Sequence, residues 1–240
     1  NRAPSADRAA GVDRIRPYSR QIYRMEQSKP RLSGRGGKHY SLAKRSLDIG
    51  VCLVAAPIVI PLVLVCAVAV RSSSPGPILF RQKRTGQGGR SFEMLKFRSM
   101  IADAELQKAA LKQSKGISGP DFKLEEDPRI TRVGRILRAT SIDELPQLWN
   151  VLVGDMSLVG PRPERPTFVA EFRKHLPQYM VRHRVKSGIT GWAQVHGWRG
   201  NTSIRKRLEF DLYYIENWSL GLDFKILWMT LRHGLRHNAH

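Results

Sequence analysis

The chain has 240 residues, enough for one domain with an ample core or a small domain with an appendage. Lys and Arg number 41 against 20 Asp and Glu, and the net charge of +21 calls for an anionic partner: nucleic acid, acidic lipid or a phosphorylated substrate. Two cysteines, Cys52 and Cys66, lie in an apolar run without any CxxC spacing, which excludes a disulfide framework and a structural zinc site.

Residues 1–40 are basic, contain Ser, Gly and Pro, and show no sustained periodicity. Ser33-Gly34-Arg35-Gly36-Gly37-Lys38 reads as a flexible linker. An arginine-rich arm suits nucleic acid or anionic lipid, and here it is read as a juxtamembrane tether. The chain opens with Asn1 rather than Met, so a trimmed or excised piece is expected, and the first apolar run starts too far in for a signal peptide.

Residues 49–70 form an unbroken run of about 22 uncharged, mostly apolar residues, long enough at ~1.5 Å each to span a bilayer. Pro57 and Pro61 interrupt it, each removing a helical hydrogen bond. Both flanks are basic: Lys44 and Arg45 before, Arg71, Arg81, Lys83 and Arg84 after. One crossing cannot place both on the positive side. A helix over residues 41–77, broken at the prolines and returning to the side it entered from, is therefore favoured over a kinked single span or a buried core helix.

Ser72-Ser73-Ser74-Pro75-Gly76-Pro77 is a turn-rich exit that opens a second region, residues 78–240. Ile78–Lys83 and Phe92–Phe97 alternate weakly around Thr85-Gly86-Gln87-Gly88-Gly89-Arg90, which predicts a β-hairpin. Its second arm delivers Lys96 and Arg98, two cations fit for phosphate or simply solvated. A charged helical segment is expected over Ile101–Lys115. Arg132, Arg135 and Arg138, at three-residue steps after Asp127-Pro128-Arg129-Ile130-Thr131, line one side of a further helix.

The stretch Thr140–Pro163 carries two adjacent carboxylates, Asp143 and Glu144, at an apparent helix start. Pro146 fits a first turn, and with Asp143 near the N-cap, Leu145, Leu148, Trp149 and Leu152 fall at helical spacing. The same end carries free N–H groups and the positive pole of the helix, which favour anions. Carboxylates beside a phosphate-friendly helix end, with Arg162 in a Gly-Pro-Arg-Pro turn just beyond, point to phosphoryl chemistry around a divalent cation. Asp at an N-cap and Glu in a first turn are equally ordinary helix signals.

A helix is predicted over Phe168–Val181. After it, Gly188–Gly200 holds four glycines together with Trp192, Gln194, Trp198 and Arg199, and reads as a loop where backbone approaches a ligand and aromatic faces stack on a base or sugar. Trp192 and Trp198 equally suit membrane-interface anchors. Leu220, Phe224, Leu227, Trp228, Leu231 and Leu235 form the stripe of an amphipathic helix, packed on the domain or lying in the lipid interface. His233 and His237 have no third ligand nearby in sequence, so a metal site there is not expected.

The pieces resemble, in order, the bacterial monotopic phosphoglycosyl transferases, which start exopolysaccharide and O-antigen repeat units on undecaprenyl phosphate. The match runs from about Lys44 to about Gly234. It rests on Lys44-Arg45…Asp48, the apolar run with Pro61, Ser74-Pro75-Gly76-Pro77, Lys96-Phe97-Arg98-Ser99-Met100, Asp127-Pro128-Arg129-Ile130-Thr131, Ser141…Asp143-Glu144-Leu145-Pro146-Gln147, Gly160-Pro161-Arg162-Pro163 and Gly188-Ile189-Thr190-Gly191-Trp192-Ala193-Gln194. Gly197-Trp198-Arg199-Gly200-Asn201-Thr202 looks most like the glucose-1-phosphate branch. Ile60 stands where Ser is common before the helix-breaking proline, and His196 where Asn is common.

The resemblance implies an α+β, mainly helical, monotopic membrane protein. It would have a re-entrant helix broken at Pro61, with Pro57 an additional proline in the same run, a small β-hairpin and amphipathic interfacial helices. It implies a nucleophilic Asp143, a magnesium-associated Glu144 with Asp143 beside the metal, and substrate contacts from Lys96, Arg98, Arg129, Arg162, Gln194, Trp198 and Arg199. Mg²⁺ would be the cofactor, a UDP-sugar the donor and undecaprenyl phosphate the acceptor. The expected setting is the cytoplasmic face of the bacterial inner membrane, among its lipids and without nucleic acid; self-association stays open. The donor expected is UDP-glucose, with galactose-1-phosphate or N-acetylhexosamine-1-phosphate transfer as alternatives. In another class, a membrane-tethered nucleic-acid-binding protein would account for the charge.

Overall fold

The apolar run forms α1 (Lys38–Ser73), a helix of 36 residues. It belongs to a computed structural model that describes residues 38–107, 127–200 and 202–236. The tether up to residue 37, the expected helix beyond Gln107 and His237 lie outside the described residues. No break in secondary structure occurs at Pro57 or Pro61, both of which sit inside α1. Proline's fixed φ is helical, so each ring removes one hydrogen bond without ending the helix. By length and composition α1 is able to cross a membrane.

Both ends of α1 are bound to the same domain. Near its start, the buried Asp48 accepts from Ser157 Oγ and from the Leu158 amide, both at 3.0 Å. Lys44 Nζ reaches Asp223 at 2.8 Å. Cys52 joins the main core with Val151, Met156, Leu158, Tyr214 and Ile226. Near its end, Cys66 and Val70 pack with Phe97 and Leu137. Between them an apolar face stands open: Val54 is 82% exposed and Ile58 76%, with Leu53, Ile60, Leu64, Val65 and Val68 also uncovered. An uncovered stripe of this size is a surface made for something other than water.

The expected hairpin is present as β1 (Leu79–Thr85) and β2 (Ser91–Phe97), antiparallel with Leu79 opposite Phe97 and Thr85 opposite Ser91. α2 (Arg132–Ala139) follows, capped by the Thr131 side chain. It crosses the end of β2 so closely that a Cβ on Gly134 would stand 2.0 Å from the Ser99 carbonyl oxygen. A 3-10 turn, Ile142–Glu144, leads to α3 (Gln147–Val153).

A second sheet pairs β3 (Met156–Val159) in parallel with β4 (Ser187–Thr190). The crossover runs through α4 (Pro166–His175) and a 3-10 stretch, Pro177–Arg184, where one helix over 168–181 was expected. Parallel strands need such a long connection. Then come α5 (Trp192–Val195), α6 (Ile204–Glu216) and α7 (Leu220–Arg236).

The region from Gly188 to Gly200 is thus not a free loop. It begins as a buried strand and continues as a helical turn whose Ala193 and Val195 are buried. Two of its glycines answer to chain packing: a Cβ on Gly188 would lie 2.1 Å from the Gly160 nitrogen, and one on Gly191 2.2 Å from the Gly160 oxygen. Helix α7 buries Asp223 and Ile226 and turns Phe224, Trp228 and Leu231 outward.

Candidate active site

The carboxylate pair sits one turn earlier than the sequence pattern places it. Asp143 and Glu144 lie in the 3-10 turn, and α3 begins only at Gln147, after Pro146. The cause is Ser141, whose φ of 58° is left-handed, a conformation no other described residue except glycine adopts. It ends α2 in the manner of a C-terminal αL residue and turns the chain sharply. A non-glycine residue held there stores about 1–3 kcal/mol, a strain that recurs at functional sites. In α3 the buried side chains are Gln147, Asn150 and Val151, while Trp149 is exposed. Asn150 ties α3 to β2 through the Leu95 amide at 3.0 Å and the Glu93 carbonyl at 2.7 Å.

That tie brings Lys96, near the end of β2, to the carboxylates. Its Nζ lies 2.7 Å from Glu144 Oε1 and 3.8 Å from Asp143 Oδ2. Arg162, beyond β3, closes on Glu144 from the other side with Nη2 at 2.7 Å from Oε1 and Nη1 at 3.3 Å from Oε2. Such forked, charge-assisted contacts are among the strong hydrogen bonds of proteins.

The two neighbours therefore differ electrostatically. Burial alone would raise the Glu144 pKa, but Arg162 and Lys96 outweigh it and hold the carboxyl well below the usual carboxylate range. Burial pushes Asp143 up from its ordinary 3.8, only partly opposed by Lys96. Among the described residues no hydrogen bond reaches the Asp143 carboxylate, so its oxygens are uncommitted.

Two of the predicted cations are placed elsewhere. Arg98 donates to the carbonyls of Ser74, at 2.7 Å, and Pro75, fastening the exit of α1. Arg129 is buried on Asp127, with contacts of 2.6 and 2.8 Å, and on the Ala104 carbonyl. Gln194 Nε2 donates to the Ile189 carbonyl at 3.0 Å. Trp198 leans on Phe210 with ring centroids 6.0 Å apart, and Trp192 stacks on Tyr213 at 5.6 Å. The tryptophans thus use a face on the protein itself, while Arg199 is exposed.

Residues 39–237 match the bacterial sugar transferase family. The chain belongs to that family. It is 46% identical over 195 residues to a UDP-N-acetylgalactosamine–undecaprenyl-phosphate N-acetylgalactosaminephosphotransferase of Aeromonas hydrophila, covering 80% of this chain and 44% of the relative. A UDP-glucose:undecaprenyl-phosphate glucose-1-phosphate transferase of Escherichia coli is 43% identical over 202 residues, 82% of this chain and 41% of its own. A galactosyl transferase of Streptococcus agalactiae is 44% identical over 191 residues, 80% of this chain and 42% of the relative. The chain spans less than half the length of these curated relatives.

In this bacterial sugar transferase, a second group of charges lies behind Arg162 that the sequence pattern did not single out. Glu164 contacts Arg207 at 2.5 Å and Arg84 at 3.8 Å, and Arg182 is paired with Asp211 at 2.7 Å. Burial pushes the Arg84 pKa down to about 10 against the pull of Glu164.

The carboxylates suit a divalent cation of the Mg²⁺ kind, which commonly takes one or two carboxylates and completes its shell with water and substrate phosphates. Among the described residues no group of three or more His, Cys, Asp or Glu converges, so an all-protein cage is not what this site offers. Asp143, engaged by no hydrogen bond among the described residues, fits the substrate-completed mode, and Glu144, held ionised, would share its oxygens between the ion and the Lys96 and Arg162 that already contact them.

Proposed function

We propose that this chain transfers a sugar 1-phosphate from a UDP-sugar to undecaprenyl phosphate and releases UMP. The observation that carries the reading is the pair of unlike carboxylates: Glu144 locked between Lys96 and Arg162, and Asp143 beside it, 3.8 Å from Lys96 and engaged by no hydrogen bond among the described residues. A carboxylate that is buried, unbonded and within reach of cations is set up to attack an electrophile rather than to support the fold.

In the proposed first step an Asp143 oxygen attacks the sugar-bearing phosphorus. An Asp–O–P bond forms, the bond to the bridging oxygen breaks, and UMP departs with that electron pair. In the second step an oxygen of the lipid phosphate attacks the same phosphorus and frees Asp143, giving a lipid diphosphosugar. Lys96 and Arg162 supply fixed positive charge for the developing oxyanions. Asp143 and Glu144 would hold Mg²⁺, whose chemistry here is charge neutralisation on the diphosphate.

The lipid acceptor agrees with the surface of the molecule. The bare apolar face of α1, together with outward Phe224, Trp228 and Leu231 on α7, supports a monotopic seat in the bilayer. Both ends of α1 are fastened to one polar domain, which supports a re-entrant path at the cytoplasmic face of the bacterial inner membrane. Glucose is the proposed donor sugar, on the likeness of residues 197–202 to the glucose branch. Relatives named for glucose, galactose and N-acetylgalactosamine match at nearly the same identity, so overall similarity does not choose among them.

The test is a screen of UDP-sugars with undecaprenyl phosphate and Mg²⁺, read as UMP release. UDP-glucose should give the fastest turnover, with UDP-galactose second and chelation of the metal abolishing both. Preference for an N-acetylated donor would overturn the choice of sugar, and no UMP from any donor would overturn the reaction.

A further inference from the structure

Three consecutive residues of the segment leaving β3 are each gripped by a different arginine. Arg182 Nη2 donates to the Arg162 carbonyl at 2.9 Å. Arg84 Nη1 donates to the Pro163 carbonyl at 3.0 Å. Arg207 Nη1 donates to Glu164 Oε1 at 2.5 Å. These side chains come from β1, the 3-10 stretch and α6, so distant parts of the chain converge on residues 162–164.

Arg182 has the most complete set of partners. Its Nε and Nη2 contact Asp211 Oδ2 at 3.0 and 2.7 Å, and its Nη1 contacts the Tyr179 hydroxyl at 2.9 Å. Its side chain is 1% exposed. A buried ion pair is weak evidence for stability, because desolvation consumes most of the attraction. What the fork gives is direction: one planar group spans a carboxylate, a phenol and a main-chain carbonyl, which a single ammonium cannot do.

That carbonyl is well placed to transmit position. Arg162 lies between Pro161 and Pro163, and a residue before proline is confined to extended conformations. Little torsional slack remains to absorb a shift, so moving the carbonyl moves the origin of the Arg162 side chain and its grip on Glu144.

We propose that Arg182, held by Asp211 and Tyr179 and assisted by Arg84 and Arg207, is a positioning residue that sets the Arg162 guanidinium against Glu144. The inference rests on the reading of Arg162 as part of the transfer site. It predicts that Arg182 acts on turnover through Arg162 alone.

A double-mutant cycle on the full chain tests this, with UMP release at saturating donor and lipid as readout. Arg182→Lys keeps the charge opposite Asp211 but loses the fork. It should lower kcat by about 10- to 100-fold while KM for the UDP-sugar changes less than about threefold. In an Arg162→Ala background the same change should cost less than about twofold, because the group being positioned is gone. A purely structural Arg182 would cost the same factor in both backgrounds, and that additivity would overturn the proposal alone. Full turnover by Arg162→Ala would instead remove Arg162 from the reaction and the proposal with it. If Arg182→Lys does not accumulate as folded protein, Tyr179→Phe, which removes only the Nη1 acceptor, goes through the same cycle. A loss of about threefold that disappears with Arg162→Ala supports the proposal; no loss, or an additive one, overturns it.

Discussion

Asp143 and Glu144 are adjacent in sequence yet respond to the fold in opposite senses, and this yields paired expectations. Asp143 is ionised only at a cost, since burial raises its pKa, so at neutral pH its charge works against the folded state. Asp143→Asn should leave the melting temperature unchanged or slightly higher while UMP release falls by about 10³-fold or more. Unimpaired turnover in that variant would end its role as nucleophile. Glu144 behaves the other way. Its depressed pKa marks stability that is present above the ordinary carboxylate value of 4.5 and is lost as pH falls through the lower folded value. Glu144→Gln leaves Lys96 and Arg162 facing a neutral amide and should destabilise the protein by about 3 kcal/mol at neutral pH, seen as a lower melting temperature. For activity, a nucleophile with a raised pKa stays protonated to higher pH, so kcat/KM should rise with pH along an acid limb centred above 3.8. A limb at or below that value would show that Asp143 does not control it. The sequence revealed this pair by its acidic neighbours and the proline after them. It did not reveal the one-turn displacement, because Ser141 carries no marker of a left-handed backbone in its side chain.

At the scale of elements, the site is held by close approaches between main chains. α2 lies on the Ser99 backbone at Gly134, and the Thr131 amide donates to the Ser99 carbonyl at 3.1 Å. Ser99 is three residues from Lys96, so this contact sets the end of β2 beside the carboxylate turn. Gly134→Ala would push a methyl group into a carbonyl that cannot rotate away. We expect a loss of about 3 kcal/mol, measured by thermal or denaturant unfolding, with reduced turnover in whatever protein remains folded. A variant as stable as the parent would show that α2 and β2 are freer to separate than their packing implies. The same physics explains which elements were legible. The hairpin announced itself by alternation around a glycine-rich turn, and α7 by its 3.6-residue stripe. β3 and β4 are four residues each, too short for a period, and the Ser187–Thr190 strand contains a glycine that reads as loop. Its need for glycine comes from Gly160, 28 positions away in sequence, a contact that no local pattern encodes. The arginines behind Arg162 were hidden for the same reason: their partners are distant, and in a chain of 41 basic residues no single one stands out.

At the scale of the molecule, the decisive relation is between α1 and the domain it belongs to. The start of α1 is fixed by Asp48 and Lys44, and the end by Cys66, Val70 and the grip of Arg98 on the Ser74 and Pro75 carbonyls. A full crossing would have to strip one of these attachments from the domain. Hydrogen bonds to charged groups contribute about 1.5–3 kcal/mol each, so losing either set costs more than one bond's worth, before the apolar contacts are counted. Nothing comparable opposes a helix that enters the bilayer and returns, since its exposed middle is apolar throughout. The expectation is that Leu42 and Lys83, both exposed and on opposite flanks of the run, lie on one side of the membrane. Leu42→Cys and Lys83→Cys should be labelled equally by a membrane-impermeant maleimide in sealed inside-out vesicles, and neither in intact spheroplasts. The native Cys52 and Cys66 are 5% and 6% exposed, so their background should be small, and Ala at both positions provides the control. Pro61→Ala should retain this pattern, because α1 is already helical through both prolines and the attachments at its ends are untouched. Labelling of the two sites from opposite sides would establish a crossing, and would mean that one of the two attachments is released when the helix meets lipid.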